Sequence, residues 1–452
     1  MKEQLAAIRA YYDAGHTRSL EARRAALAAL RRSIVAHTDE LFEALHTDLG
    51  KSSRESYMSE VGVALAEIDH LSRHLRRLMR PRRVRSSLTT FPSRTRVVAE
   101  PLGVVLIISP WNYPVNLTFA PLAGALAAGN CVVIKPSQTS AATREVMTRI
   151  IAEAFDPAYV AMMCLDHAQT DSLLDEKFDH ILFTGSARIG REVMAKAARH
   201  LTPVTLELGG KSPCIISADA DLRVAARRVA WGKTFNAGQT CIAPDHVWVE
   251  RSVADKFVEC LAEALDNIYG MPALASEHYP HIITRRALDR LVGYTDGSSG
   301  RVVYGGEVAG ERLALAPTVL RDVPLDSPVM QDEIFGPVIP VIEYDSIDEV
   351  ITYINHNPKP LALYYFGRKS DGRRVIARTS SGGACINDVV MHFAALAAPF
   401  GGVGESGMGK YHGEDSFLTF SNRRAVLTSG RHTDLPLRYP PFPPLGLLKK
   451  FM

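Results

Sequence analysis

Phe235-Asn236-Ala237-Gly238-Gln239-Thr240-Cys241 ends in a cysteine, and the segments on either side read as serving that thiol. About thirty residues upstream, Leu206-Glu207-Leu208-Gly209-Gly210-Lys211 sets a carboxylate between two apolar residues and follows it with two glycines. Such a run reads as a strand end turning sharply at a site. A nucleophile needs a base, and a cysteine with a nearby glutamate has one. A cysteine taken alone is more often a small buried hydrophobe. The surrounding Asn, Gly, Gln and Thr are what single out Cys241 among the six cysteines.

Outward from this pair, strand and helix patterns alternate. Upstream, strands are expected at 104–108, 131–134, 161–165 and 180–183, with helices at 119–128, 140–155 and 188–200. Downstream, strands are expected at 213–217, 247–249, 338–343 and 361–366. The helices there are placed at 221–235, 252–268, 284–293, 346–356 and 370–379. Alternation of this kind predicts an α/β fold with parallel sheets covered on both faces. Ligands then bind beyond the carboxyl ends of the strands.

The N-terminal 2–46 reads as one helix and 55–79 as another, ending before Pro81. Arg23, Arg24, Arg31 and Arg32 read as a solvated face, and the basic run 73–85 as a solvated helix end. Residues 84–99 lose the helical period, and Phe91-Pro92-Ser93-Arg94-Thr95 reads as a turn between two extended runs. Residues 296–310 are rich in Gly and Ser and read as surface loop. From Leu435 the chain is proline-rich and is expected to pack loosely.

Bulk properties narrow the function. A chain of 452 residues with 46% apolar and 22% charged residues has the composition of a packed enzyme of two or three domains. A net charge of +3 is too small to point to nucleic acid. No C-x-x-C pair occurs, so neither a metal site nor a disulfide framework is indicated. Free thiols suit a reducing cytoplasm. The start of the chain lacks the apolar core of a secretory signal, and no stretch is apolar enough to span a membrane.

Taken with Pro110-Trp111-Asn112-Tyr113-Pro114, Val133-Ile134-Lys135-Pro136-Ser137, Phe183-Thr184-Gly185-Ser186, Glu333-Ile334-Phe335-Gly336-Pro337 and Pro399-Phe400-Gly401-Gly402, the two opening motifs resemble the aldehyde dehydrogenase superfamily. Order and spacing agree from about residue 20 to 430. The early start and Gly407-Met408-Gly409-Lys410-Tyr411-His412-Gly413 resemble its class 3 branch, which includes fatty, aromatic and bacterial coniferyl aldehyde dehydrogenases. The resemblance implies a Rossmann-type cofactor domain at 1–83 and 100–206 and an α/β catalytic domain at 207–405. It also implies bridging elements at 84–99 and 406–430, followed by the tail 431–452. A homodimer follows from the same resemblance, and the free thiols point to the cytoplasm.

By that resemblance Cys241 is the nucleophile, Glu207 the general base and Asn112 the oxyanion donor. A turn after Gly238 is expected to aim backbone N–H groups at the sulfur and lower its pKa. Other readings remain for single residues. Asn112 alone is a turn residue, Glu207 could pair with Lys211, and Lys233 either steers substrate or is solvated. NAD or NADP would lie on Gly185, Ser186 and Gly190 at a helix start. Lys135 and Gln138 would face the adenosine ribose. Glu333 would bind the nicotinamide ribose, with Phe335, Trp111 and Thr184 near the ring. In many relatives the position of Gln138 is Glu, so loss of that charge implies that NADP is accepted as well as NAD. Tyr57, His392 and Phe393 are assigned to the substrate pocket, with the run Met391–Pro399 forming a small, apolar wall. No metal is expected. The substrate is expected to be a hydrophobic aldehyde, aromatic or medium-to-long aliphatic. A CoA-acylating enzyme and a non-catalytic scaffold of the same fold are the alternatives.

Overall fold

The protein is represented by a computed structural model that describes residues 1–85, 90–434, 438–442, 444–446 and 449. Two large sheets dominate it. The first runs, in order across the sheet, Gly407–Met408, Val204–Glu207, His180–Thr184, Val104–Ile108, Cys131–Lys135 and Val160–Met162. All its strands are parallel except Gly407–Met408, which pairs antiparallel with Val204–Glu207. Val104–Ile108 is wholly buried, as a central parallel strand covered on both faces must be. The helix Asn116–Ala128 covers it and is buried along every residue, consistent with its lack of any polar face. Helix Gly62–Leu78 packs over that one.

The second sheet runs Arg301–Tyr304, Thr318–Arg321, Val338–Tyr344, His246–Glu250, Pro213–Ile216, Ala362–Phe366 and Gly383–Ile386. A third, small sheet joins Arg82–Val84, Arg94–Pro101 and Ser421–Thr428. Ser421–Thr428 lies at its edge and is exposed along nearly its whole length.

Several expectations are corrected. The predicted helix 2–46 is three helices, Lys2–Asp13, Leu20–Ala36 and Thr38–Leu49. Ser19 restarts the chain by accepting from Ala22 N at 3.0 Å. The His37 ring, held between Glu40 (2.7 Å) and Glu153 (2.8 Å), marks the second break. Arg23 is not on a solvated face. It is buried and donates to the carbonyls of Thr17 (3.2 Å) and Ala127 (3.1 Å), and burial lowers its pKa to about 10. Residues 296–310 hold the strands Arg301–Tyr304 and Val308–Ala309. The segment 406–430 is divided between two places. Gly407–Met408 completes the first sheet and helix Gly413–Thr419 packs on that unit, leaving 421–428 in the small sheet. Glu207 ends a strand of the first sheet, and the second begins at Pro213. Parts of the tail, including 435–437 and 450–452, lie outside the described residues.

Candidate active site

The segment before Cys241 is bent into a rare backbone shape. Asn236, Ala237 and Gly238 have φ of 53°, 50° and 76°. A left-handed alanine is strained and must be held by its surroundings. Gly238 has no alternative, since a Cβ there would lie 2.3 Å from the carbonyl oxygen of Gly336. Gln239 supplies the hold. Its Nε2 donates to the carbonyls of Asn236 (3.1 Å) and His281 (3.0 Å), and its Oε1 accepts from Ile283 N (3.0 Å). Thr240 Oγ1 meets the hydroxyl of Tyr113 at 2.5 Å, and Tyr364 donates to the carbonyl of Ile242 at 2.5 Å. The polar residues of the motif are thus spent on fixing the loop.

Cys241 lies between two cavities. One, of about 210 Å³, is lined by Trp111, Asn112, Thr184, Gly185, Ser186, Glu207, Gly209, Glu333 and Phe335 besides Cys241. The other, of about 250 Å³, is lined by Met58, Val63, Trp231, Phe235, Met391 and Phe393 among others. Cys241 and Leu117 belong to both linings. A larger cleft of about 560 Å³ meets the first cavity at Ser186, Gly209 and Glu333.

Asn112 is buried, and its Nδ2 donates to the Gln239 carbonyl at 3.0 Å. Its own carbonyl accepts from Asn236 Nδ2 at 2.9 Å. Glu207 is 3% exposed, and among the described residues neither carboxylate oxygen has a hydrogen-bond partner. Burial lifts its pKa well above the usual carboxylate range, with Lys410 opposing. The expected pairing with Lys211 does not form. Lys211 instead donates to Asp245 Oδ1 at 2.5 Å and to the carbonyls of Val329 and Asp332 at 2.9 Å each.

The Cys241 thiol is also pushed up. Burial is the main cause and the charges of Glu333 and Glu207 add to it. The N–H groups of Cys241 and Ile242 act the other way and are outweighed. The expected low resting pKa is therefore not what the fold produces, and no helix starts at the thiol. Lys233 lines neither cavity and does not meet solvent. It is buried, donates to the Asp245 carbonyl at 3.2 Å, and is lowered to about 8 by burial.

The residues present fit a dinucleotide. Ser186 caps helix Ala187–Ala198 by accepting from Ile189 N, leaving the helix start open to the cleft. Thr184 Oγ1 is buried without a partner. A Cβ on Gly209 would lie 1.9 Å from Glu333 Oε2, so only glycine leaves room for that carboxylate, whose pKa burial raises to about 8. Phe335, at φ 49°, stands edge-on to Trp111 with ring centres 5.5 Å apart. Gly190 serves packing, since a Cβ there would lie 2.8 Å from Leu208 Cδ2. Lys135 ends its strand half-buried, and burial lowers its ammonium pKa. Gln138 is exposed and donates to the Leu165 carbonyl at 2.6 Å.

Phe393 lines the apolar cavity, but Tyr57 and His392 are not among its lining residues. Tyr57 is 52% exposed, and its neighbour Met58 takes its place. His392 turns away, with Nδ1 3.4 Å from Cys385 Sγ. Ala395, Ala397 and Ala398 are exposed, so the run gives the wall Met391, Phe393 and Ala394, and Trp231 and Phe235 make it aromatic. Sequence reasoning missed Met58, Val63, Asp245 and the buried Lys51–Glu60 pair. Lys51 and Glu60 lie close in sequence, but their ties to Asn112 and Val115 run 61 and 55 positions along the chain.

A family model for the aldehyde dehydrogenase family matches residues 1–426. Aldehyde dehydrogenase family 3 member B1 of Rattus norvegicus is 46% identical over 445 residues, covering 98% of this chain and 94% of that protein. The dimeric NADP-preferring aldehyde dehydrogenase of the same organism is 44% identical, covering 96% of each chain. Among solved structures, Staphylococcus aureus AldH in its substrate-bound state superposes with a TM-score of 0.96 at 37% identity. That match covers 100% of this chain and 99% of the other.

Proposed function

The chain belongs to the aldehyde dehydrogenase family and oxidises aldehydes to carboxylic acids with NAD or NADP, and from that premise we propose that its substrate is a hydrophobic aldehyde, aromatic or medium-to-long aliphatic. One observation carries this reading. Cys241 stands between a cavity that holds Asn112, Glu207 and Glu333 and an apolar cavity walled by Trp231, Phe235, Met391 and Phe393. An apolar tail bound on one side presents its carbonyl to the thiol, with the carboxylate on the other.

Cys241 gives up its S–H proton to solvent and attacks the carbonyl carbon as the thiolate. A C–S bond forms and the carbonyl electron pair moves to oxygen. The Asn112 amide and the Cys241 N–H stabilise that oxyanion without adding a charge. A bound dinucleotide would supply the hydride acceptor that takes the adduct to the thioester. Thr184, Ser186, Glu333 and Phe335 would hold it, with Trp111 toward the ring and Lys135 and Gln138 toward the adenosine ribose. Glu207 then takes a proton from water, which attacks the thioester, and the thiolate leaves with the C–S pair. The exposed edge strand supports a homodimer, and the free thiols support a cytoplasmic setting.

A kinetic screen of aldehydes, with and without added CoA, tests the reading. The highest kcat/KM is expected for cinnamaldehyde-type or long aliphatic aldehydes, with free acid as product. A preference for short, charged aldehydes such as betaine aldehyde, or acyl-CoA as product, would refute it.

A further inference from the structure

Behind Asn112 lies an ion pair that is not among the lining residues of either cavity. Lys51 and Glu60 are both fully buried. Lys51 Nζ donates to Glu60 Oε1 at 2.7 Å and to the Asn112 carbonyl at 3.0 Å, and it stands 4.1 Å from the centre of the Tyr113 ring. Glu60 Oε2 accepts from the N–H groups of Val115 and Asn116, each at 3.0 Å. One pair thereby holds the segment 112–116 at both ends.

The local backbone makes this possible. Tyr57–Val61 forms a π-turn, a rare form frequent at functional sites. It turns Glu60 into the core while Met58 and Ser59 line the apolar cavity. A buried ion pair is weak evidence for stability, because an apolar pair of similar volume often serves as well. An apolar pair, however, cannot donate to the Asn112 carbonyl or accept from the amides of Val115 and Asn116.

We propose that Lys51 and Glu60 are positioning residues for the reaction, setting the peptide of Asn112 so that its side chain stands correctly at Cys241. The pair touches neither substrate nor cofactor and acts through Asn112. This rests on the reading of Asn112 as the oxyanion donor. Removing the pair lowers the rate of adduct formation and leaves dinucleotide affinity unchanged, whereas general loosening of the site would change both.

The test uses the full chain carrying Lys51→Met with Glu60→Gln, which removes both charges of the pair and leaves Glu55, whose charge Lys51 also favours, with its hydrogen bond from Asn236 N. Its melting temperature and NAD affinity are expected to stay near wild type. The rate constant of the single-turnover NADH burst is expected to fall 10- to 100-fold. In an Asn112→Ala background the same pair of substitutions should add less than a twofold further loss. Should the paired variant not fold, Glu60→Gln alone, close to isosteric, is read the same way with an expected fall of 3- to 10-fold. An unchanged burst rate in a folded variant overturns the proposal. So does an equal fold-loss in both backgrounds, which would show action independent of Asn112. If Asn112→Ala itself leaves the burst intact, the oxyanion reading fails first and takes this inference with it.

Discussion

At the scale of single residues, Glu207 carries the sharpest expectation. Its buried, unpartnered carboxyl is held protonated above the ordinary range. A base must be ionised, so thioester hydrolysis speeds up as pH rises through that raised pKa and slows below it. Glu207→Gln should give an NAD(P)H burst followed by steady turnover at least 100-fold slower. Stopped-flow absorbance at several pH values reads both phases. Undiminished steady turnover would remove Glu207 from the base role. Gln138 poses a second question at this scale. Its exposed amide is anchored on the Leu165 carbonyl near Lys135, with no negative charge to repel a 2′-phosphate. A carboxylate ~5 Å from that phosphate would cost on the order of 3 kcal/mol at a dielectric near ~20, before screening. Gln138→Glu is therefore expected to lower the NADP/NAD ratio of kcat/KM by about tenfold, since ~1.4 kcal/mol survives screening. Kinetics with both cofactors decide it, and an unchanged ratio would show that Gln138 plays no part.

At the scale of elements, the strand His246–Glu250 and the loop 332–335 are locked together by Asp245. Its Oδ2 accepts from Ile334 N at 2.8 Å while Lys211 grips its Oδ1 and the Asp332 carbonyl. Burial works against the Asp245 charge, but Lys211, His246 and Lys233 more than offset it and hold its pKa well below the usual range. Glu333 and Phe335 ride on this loop, and Phe335 keeps its positive φ only because the clamp over-determines it. Asp245→Asn weakens the hold on Lys211 and on Ile334. The expected result is a KM for NAD raised about tenfold, equivalent to losing a charged hydrogen bond of ~1.5 kcal/mol. Alkylation of Cys241 by a small electrophile should continue. Unchanged cofactor KM would argue that the loop holds itself.

For the whole molecule, the decisive feature is the edge of the small sheet. Among the described residues, Ser421–Thr428 pairs with Arg94–Pro101 on one side and is unpaired on the other, with Val426 and Leu427 exposed at 37% and 49%. An exposed edge of eight residues is a template for a second chain. Leu427→Lys, a charge of the kind that blunts natural edges, should shift the proposed dimer to monomer by light scattering with chromatography. A wild-type monomer at micromolar concentration would sink the dimer reading. Among the described residues, no helix is long and apolar enough to cross a membrane.

The sequence alone determined the α/β alternation, because buried parallel strands such as 104–108 must be continuous apolar runs whatever surrounds them. It also marked Cys241, Glu207 and Asn112 through local motifs. What it could not determine depended on distant neighbours. Arg23 looks solvated until the carbonyl of Ala127 is placed beside it, and Lys51 has no local sign of its tie to Asn112, 61 positions away. The thiol's pKa went against expectation for the same reason. Nearby N–H groups are set by the local turn, but desolvation and the charges of Glu207 and Glu333 exist only once the sheets close around Cys241. Of the expected wall 391–399, only Met391, Phe393 and Ala394 face the cavity, and Met58 and Trp231 join them, because side-chain direction is fixed by packing rather than by sequence position.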